Sequence, residues 1–226
     1  MLPYGSILIA SPWDVCVRLS ELCIEADFWR SLWRTFWHIG AGFIFGGTVG
    51  ALCAAVSARY KFLQTLMQPY VFTIKSVPVA SFIVIALVLI SSKSLSIFIS
   101  FLMVFPVMYG NLLQGLKSRS SEMAEMAHVF KIPPLKRFLY IALPHLKPYL
   151  ISGCSTALGL AWKAGVAAEV IGISGGTIGE ALYMAKVHFD TAELFAWTAV
   201  IVVLSIGFEK LFLAALKMFY GRFERS

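Results

Sequence analysis

An all-α polytopic membrane protein with about five transmembrane helices is the fold class that three observations predict. The 226-residue chain is 59% hydrophobic with a mean hydropathy of +0.80, and only 14% of its residues are charged, against about one quarter in soluble domains. Five stretches approach the ~20 apolar residues needed to cross a bilayer as a helix. Lysine and arginine are concentrated in alternate connections between those stretches, as the positive-inside rule requires.

The five stretches are 36–57, 71–91, 94–115, 149–172 and 194–216. The first and third contain no Asp, Glu, Lys or Arg; the fourth carries Lys163 and Glu169, and the fifth carries Glu209 and Lys210. Ahead of them, 12–35 mixes charges of both signs with apolar residues, and Trp29, Trp33 and Trp37 recur every four residues, running into the first span. On one helix those indoles form a single stripe, so an interfacial helix is expected there.

Connections 58–70 and 116–148 and the tail after 216 hold most of the basic residues, including Arg59, Lys61, Lys131, Lys136, Arg137, Lys147 and Lys217. That distribution puts the N-terminus outside and the C-terminus in the cytoplasm. The net charge of +7 thus reports topology and not nucleic-acid binding. No repeat or composition shift divides the chain, and 1–226 reads as a single transmembrane domain. The opening residues lack the basic region and apolar length of a signal peptide. Cys16, Cys23, Cys53 and Cys154 have no metal-ligand spacing and read as small packing residues, with no metal or cofactor expected.

The connection 116–148 has organisation of its own. Ser121 is suited to cap a helix, Glu122 and Glu125 favour its positive end, and Met123, Met126, Ala127 and Phe130 follow i, i+3, i+4, i+7. Pro133 and Pro134 end that helix, and Leu135, Phe138, Leu139 and Ala142 stripe a second one, broken at Pro144.

Glu125, Ala127, Ile141, Leu143 and Pro144 are spaced as in the EAA loop of ABC importer permeases, and the chain resembles that family. Met126 replaces the second residue of the pattern, and Lys131 stands where the family has glycine. Further likeness lies in "SVPVASFIVIALVLI", "GLAWKAGVAAEVIG" and "DTAELFAWTAVIVVLSIGFEKLF", and it is greatest to the nitrate, sulfonate and taurine subgroup, over roughly 10–220.

The resemblance implies the type I (MetI-like) importer fold in the cell inner membrane. It implies two permease subunits, the second expected to be a copy of this chain. It also implies cytoplasmic ABC ATPase subunits and an extracytoplasmic solute-binding protein. Glu122, Met123, Glu125, Met126, Ala127, Phe130, Lys131, Ile141, Leu143 and Pro144 would form the ATPase-coupling element, its first helix docking in a groove of the ATPase. Many members carry a further span ahead of the interfacial helix, so this chain is expected either to work with five spans or to continue upstream. No GxxxxGK[ST] phosphate loop occurs, so ATP hydrolysis is expected in a partner subunit and not in this chain.

A charge in a span costs at least ~2.5 kcal/mol on the insertion scale, so Lys163 and Glu169 should face a cavity or a partner. Six residues apart, they lie about 240° apart around a helix and do not simply pair. Lys163 is the candidate pathway residue for a small anion such as a sulfonate or nitrate, with a structural ion pair as its other reading; Glu169 is a candidate gate contact. Alternatives for the whole chain are an importer subgroup carrying a vitamin precursor, an ion-coupled secondary transporter, or a membrane-embedded enzyme.

Overall fold

The computed structural model describes residues 10–118, 126, 129, 130, 133 and 142–224. Among these residues every regular element is helical.

Ser11 precedes α1 (Pro12–Leu22) in extended conformation and accepts from the Trp13 amide at 3.3 Å, while Asp14 Oδ2 accepts from the Ser11 amide at 3.2 Å. That reciprocal cap, with Pro12 in the first turn, sets where the helix starts. The expected single helix over 12–35 is two helices, because the chain leaves α1 at Leu22 and begins α2 (Ala26–Arg59) after an extended Glu25. Trp29 Nε1 donates to the Cys23 carbonyl at 3.0 Å, which satisfies one of the acceptors freed at the break. The tryptophan stripe persists and is exposed, but it belongs to α2. At 34 residues that helix is ~51 Å long, well beyond a bilayer core.

The stretch expected to form a span over 71–91 is also broken. α3 (Lys61–Ser76) and α4 (Val79–Leu89) meet at 104°. Pro78 supplies no amide and forces extended backbone at Val77, whose ψ is 134°, so the helical ladder cannot run through. α5 (Ser92–Lys117) is continuous through the buried Pro106.

α6 (Leu143–Gly172) starts six residues earlier than the span expected from 149. Pro144 sits in the first turn of α6, where its missing amide leaves no bond unmade; the short helix expected to end there lies mostly outside the described residues. The helix ends at Ile173, which has φ 46° and lies in the left-handed region, and the Ser174 amide bonds the Glu169 carbonyl at 3.1 Å. α7 (Ile178–Val187) and α8 (Thr191–Glu224) complete the chain.

α2, α5 and α8 are each long and apolar enough to cross a membrane, and α3 with α4 adds a fourth if the bent pair is one span. α6 has the length, 30 residues, but its sequence is interrupted by serines, Lys163 and Glu169. It lies against both α5 and α2, and the main core is formed there by Ile39, Phe43, Val104, Leu158, Ala161 and Trp162.

Close approach of α2 to α5 depends on three glycines spaced four apart. A Cβ on Gly42 would lie 2.5 Å from the Ile97 carbonyl oxygen, one on Gly46 2.8 Å from that of Phe101, and one on Gly50 3.0 Å from that of Phe105. Gly47, on another face, would meet nothing within 4 Å. Gly46→Val is therefore expected to destabilise the bundle by about 1–3 kcal/mol through overpacking. A melt in detergent checks this: Gly47→Ala should be nearly neutral, and equal effects of the two would show that the glycine contact does not set the helix spacing.

α1 is held to α8 by Arg18, which donates to Glu193 Oε2 at 2.8 Å and to Glu21 Oε2 at 3.0 Å. Those hydrogen bonds, Glu193 first, raise the guanidinium pKa above its ordinary value. Beneath them Leu22 and Phe28 pack against Trp197, so the N-terminal helix rests on a small core of its own. Cys154 is buried in the bundle as expected, whereas Cys16 and Cys23 are exposed and contribute little packing.

Candidate coupling and translocation sites

Of the residues expected to couple the chain to an ATPase, Glu122, Met123, Glu125, Ala127, Lys131 and Ile141 lie outside the described residues. Met126 and Phe130 are described. The Phe130 amide bonds the Met126 carbonyl at 3.0 Å, an i to i+4 bond, and both side chains are exposed, as is Val129. Leu143 and Pro144 belong to the first turn of α6.

The two ends of this connection stand side by side. Ser118 Oγ lies 3.1 Å from His145 Nε2, and Tyr149 packs on Gly115 so closely that a Cβ there would be 2.8 Å from the ring. Lys117 Nζ donates to Gln64 Oε1 and ties the end of α5 to α3. A displacement of the connection would thus reach α3, α5 and α6 as a packed unit and would not be absorbed in slack chain.

Glu169 and Lys163 are not brought together. Glu169 is fully buried: Oε2 accepts from Thr35 Oγ1 at 2.8 Å and from the Gly179 amide at 3.4 Å, and Oε1 lies 3.5 Å from His38 Nδ1. Thr35 Oγ1 in turn accepts from the Ile178 amide at 3.0 Å. One carboxylate therefore joins α2, α6 and the start of α7, and it meets the free amides of a helix N-terminus where negative charge is favoured. Gly179 permits the approach, since a Cβ on it would stand 2.2 Å from Glu169 Cβ.

Thr35, His38 and Gly179 carry no motif that links them to Glu169 in sequence. The available hint was that Thr35 and His38 are three apart on a helix and so share a face.

Lys163 is exposed on α6 and has neither a hydrogen-bond nor an ion-pair partner among the described residues. It shares an exposed stripe with Ser152, Thr156 and Leu160. It also borders a groove of about 350 Å³ between α6 and α8, lined by Trp162, Val166, Ile201 and Ser205 among others. Trp162 Nε1, buried, has no acceptor.

Several long apolar helices, packed on one another through glycine contacts and carrying an exposed lysine and a buried carboxylate within the bundle, define a polytopic membrane protein. The chain belongs to the binding-protein-dependent transport system inner membrane component family, whose model matches residues 46–224.

Among similar proteins, one named as an ABC transporter permease in Brucella melitensis is 24% identical over 212 residues, covering 93% of this chain and 86% of that protein. A nitrate import permease protein of Synechococcus elongatus is 29% identical over 141 residues, 62% of this chain and 50% of its own length. A Bacillus subtilis protein named for aliphatic sulfonates transport is 22% identical over 201 residues, 88% of this chain and 72% of its own. The likeness to the nitrate and sulfonate subgroup expected from the sequence is thus found, and the chain is an ABC importer permease, a transport subunit in a membrane. Membership implies ATPase and binding-protein partners in general.

Proposed function

We propose that this chain forms half of the path by which a small anion, of the nitrate, bicarbonate or sulfonate kind, enters the cell. An external binding protein delivers the anion, a second copy of the chain supplies the other half of the path, and ATP is hydrolysed by separate cytoplasmic subunits. In this reading α6 completes five spans, the N-terminus faces outside, and the connection 116–148 faces the ATPase. Glu169 then acts as a fixed clamp between α2, α6 and α7, and any gating role it has is exerted through α7.

The observation that carries the anion reading is Lys163, a cation exposed partway along a long helix with no partner among the described residues. Such a charge is costly in contact with lipid and is stabilised beside water or an anionic solute. The names of the relatives support the same solute class, since nitrate, bicarbonate and sulfonates share a single delocalised negative charge. The exposed Met126 and Phe130 suit a helix-in-groove contact, in which flexible and aromatic side chains fill irregular apolar clefts.

Lys163→Met in the transporter reconstituted with its ATPase and binding protein is the test. Loss of one favourable ion contact is expected to raise the half-saturating anion concentration or lower the rate by about tenfold, equivalent to about 1.4 kcal/mol. Unchanged uptake kinetics would remove Lys163 from the path. Uptake of an uncharged solute and of no anion would turn the assignment to another importer subgroup.

A further inference from the structure

We propose a second binding site, for a small oxyanion, in the cavity that Arg34 and Lys93 border at the end of the bundle remote from Lys117 and Leu143. The cavity has a volume of about 270 Å³ and is lined by Arg34, His38, Lys93, Ser174 and Gly175. Arg34 and His38 lie near the start of α2, Lys93 is the second residue of α5, and Ser174 and Gly175 follow the end of α6. Because α5 runs from here to Lys117 and α6 returns from Leu143, the cavity lies at the opposite end of the bundle from Lys117 and Leu143.

Neither cation is neutralised by the described residues. Among the described residues no carboxylate lies within ion-pair distance of Arg34 or Lys93. Arg34 Nη1 donates to the Gly175 carbonyl at 2.8 Å, which orients the guanidinium and leaves its remaining donors available for a planar acceptor. The turn is shaped around that group: Gly176 has φ +71°, and a Cβ on it would stand 2.2 Å from Arg34 Nη1. Ser174 Oγ donates to the Ser92 carbonyl at 2.7 Å, fixing the turn to the start of α5 beside Lys93.

The carboxylates nearby are engaged elsewhere. Glu169 accepts from Thr35 and Gly179 and faces His38, and Glu180 Oε2 accepts from the Gly176 amide. Two cations around one small cavity repel each other, and a single anion between them offsets that repulsion with two attractions. The volume falls just below the ~300 Å³ at which drug-sized pockets begin, so it suits an ion of few heavy atoms. A trigonal or tetrahedral oxyanion meets both size and donor geometry. It can arrive free from solution or as the phosphate of a lipid headgroup. The site itself rests on the cavity and its charges; a role as a loading stop for the transported solute rests on the anion-import reading above.

The test uses the full-length permease in phosphatidylcholine nanodiscs, melted in nitrate, bicarbonate, methanesulfonate or inorganic phosphate against chloride at constant ionic strength. At least one oxyanion is expected to raise Tm. In the Arg34→Gln, Lys93→Gln double variant the concentration giving half the rise should increase by about tenfold or more, as expected for loss of one or more charge-assisted contacts. Arg34→Lys, which keeps the charge but loses the planar fork, should shift that concentration less than the double variant does; circular dichroism and gel filtration confirm that each variant is folded.

No rise with any oxyanion overturns the site, as does an equal rise in the double variant, or loss in Lys163→Met together with retention in the double variant. Adding phosphatidylglycerol to the discs distinguishes the sources. A wild-type protein that no longer responds to the free anion, and whose double variant fails to retain that lipid in native mass spectrometry, has a headgroup site; a persistent response marks a site for the free ion. Binding is read without transport, so failure here leaves the import reading standing, and failed uptake leaves this site standing.

Discussion

Aspartate at both Met126 and Phe130 is expected to abolish co-purification of the ATPase while the permease still inserts and keeps its helical content. Both side chains are exposed, and the two residues are one helical turn apart, with the Phe130 backbone amide bonded to the Met126 carbonyl at 3.0 Å. Neither supports the transmembrane core, so two charges there should leave the bundle intact. A groove that accepts methionine and phenylalanine would have to desolvate two carboxylates, each costing several kcal/mol if left without a partner. The measurement is pull-down of the ATPase by tagged permease in mild detergent. Retained co-purification of the double variant would dismiss the coupling-helix assignment. Uptake lost with co-purification intact would instead place these residues in force transmission and not in docking.

The second large effect is expected at Glu169. Glu169→Ala removes a fully buried side chain and strips Thr35 Oγ1 and the Gly179 amide of their acceptor. A cavity and unsatisfied buried donors together should cost about 2–5 kcal/mol. Glu169→Gln keeps the shape and one acceptor oxygen and should cost markedly less. Apparent Tm in detergent, followed with hydrogen exchange over α7, separates the two. If Glu169→Ala leaves α7 as protected as the wild type, the carboxylate is not what holds α7 to the bundle. If Glu169→Gln is as damaging as Glu169→Ala, the negative charge, not the packing, is the essential property.

Much of the fold was legible because membrane helices declare themselves by composition. The apolar runs at 36–57, 94–115 and 194–216 lie within α2, α5 and α8, of which α2 and α8 continue beyond them into charged sequence. The break at Pro78 was less legible. Hydropathy is continuous from 71 to 91, and only the backbone restriction that proline imposes on itself and on Val77 separates α3 from α4. The break after Leu22 had no proline to announce it. It is held by the bond from Trp29 to the Cys23 carbonyl and by the burial of Leu22 and Phe28 against Trp197, both products of tertiary packing.

The same division runs through the sites. The resemblance to the family was readable in the spacing of Glu125, Ala127, Ile141, Leu143 and Pro144, and the family model matches residues 46–224. That Glu169 would be buried away from lipid was also readable, since an intramembrane charge is costly in any context. Composition could not say with which partners. Glu169 is paired with Thr35, His38 and Gly179 by the crossing of α2, α6 and α7, whereas Lys163, six residues away, lies on the opposite course and stays exposed. A sequence specifies which side chains are expensive to bury and which helices they ride on. Which partners meet them follows from the angles and rotations at which those helices pack, settled here by contacts such as Gly42, Gly46 and Gly50 against α5.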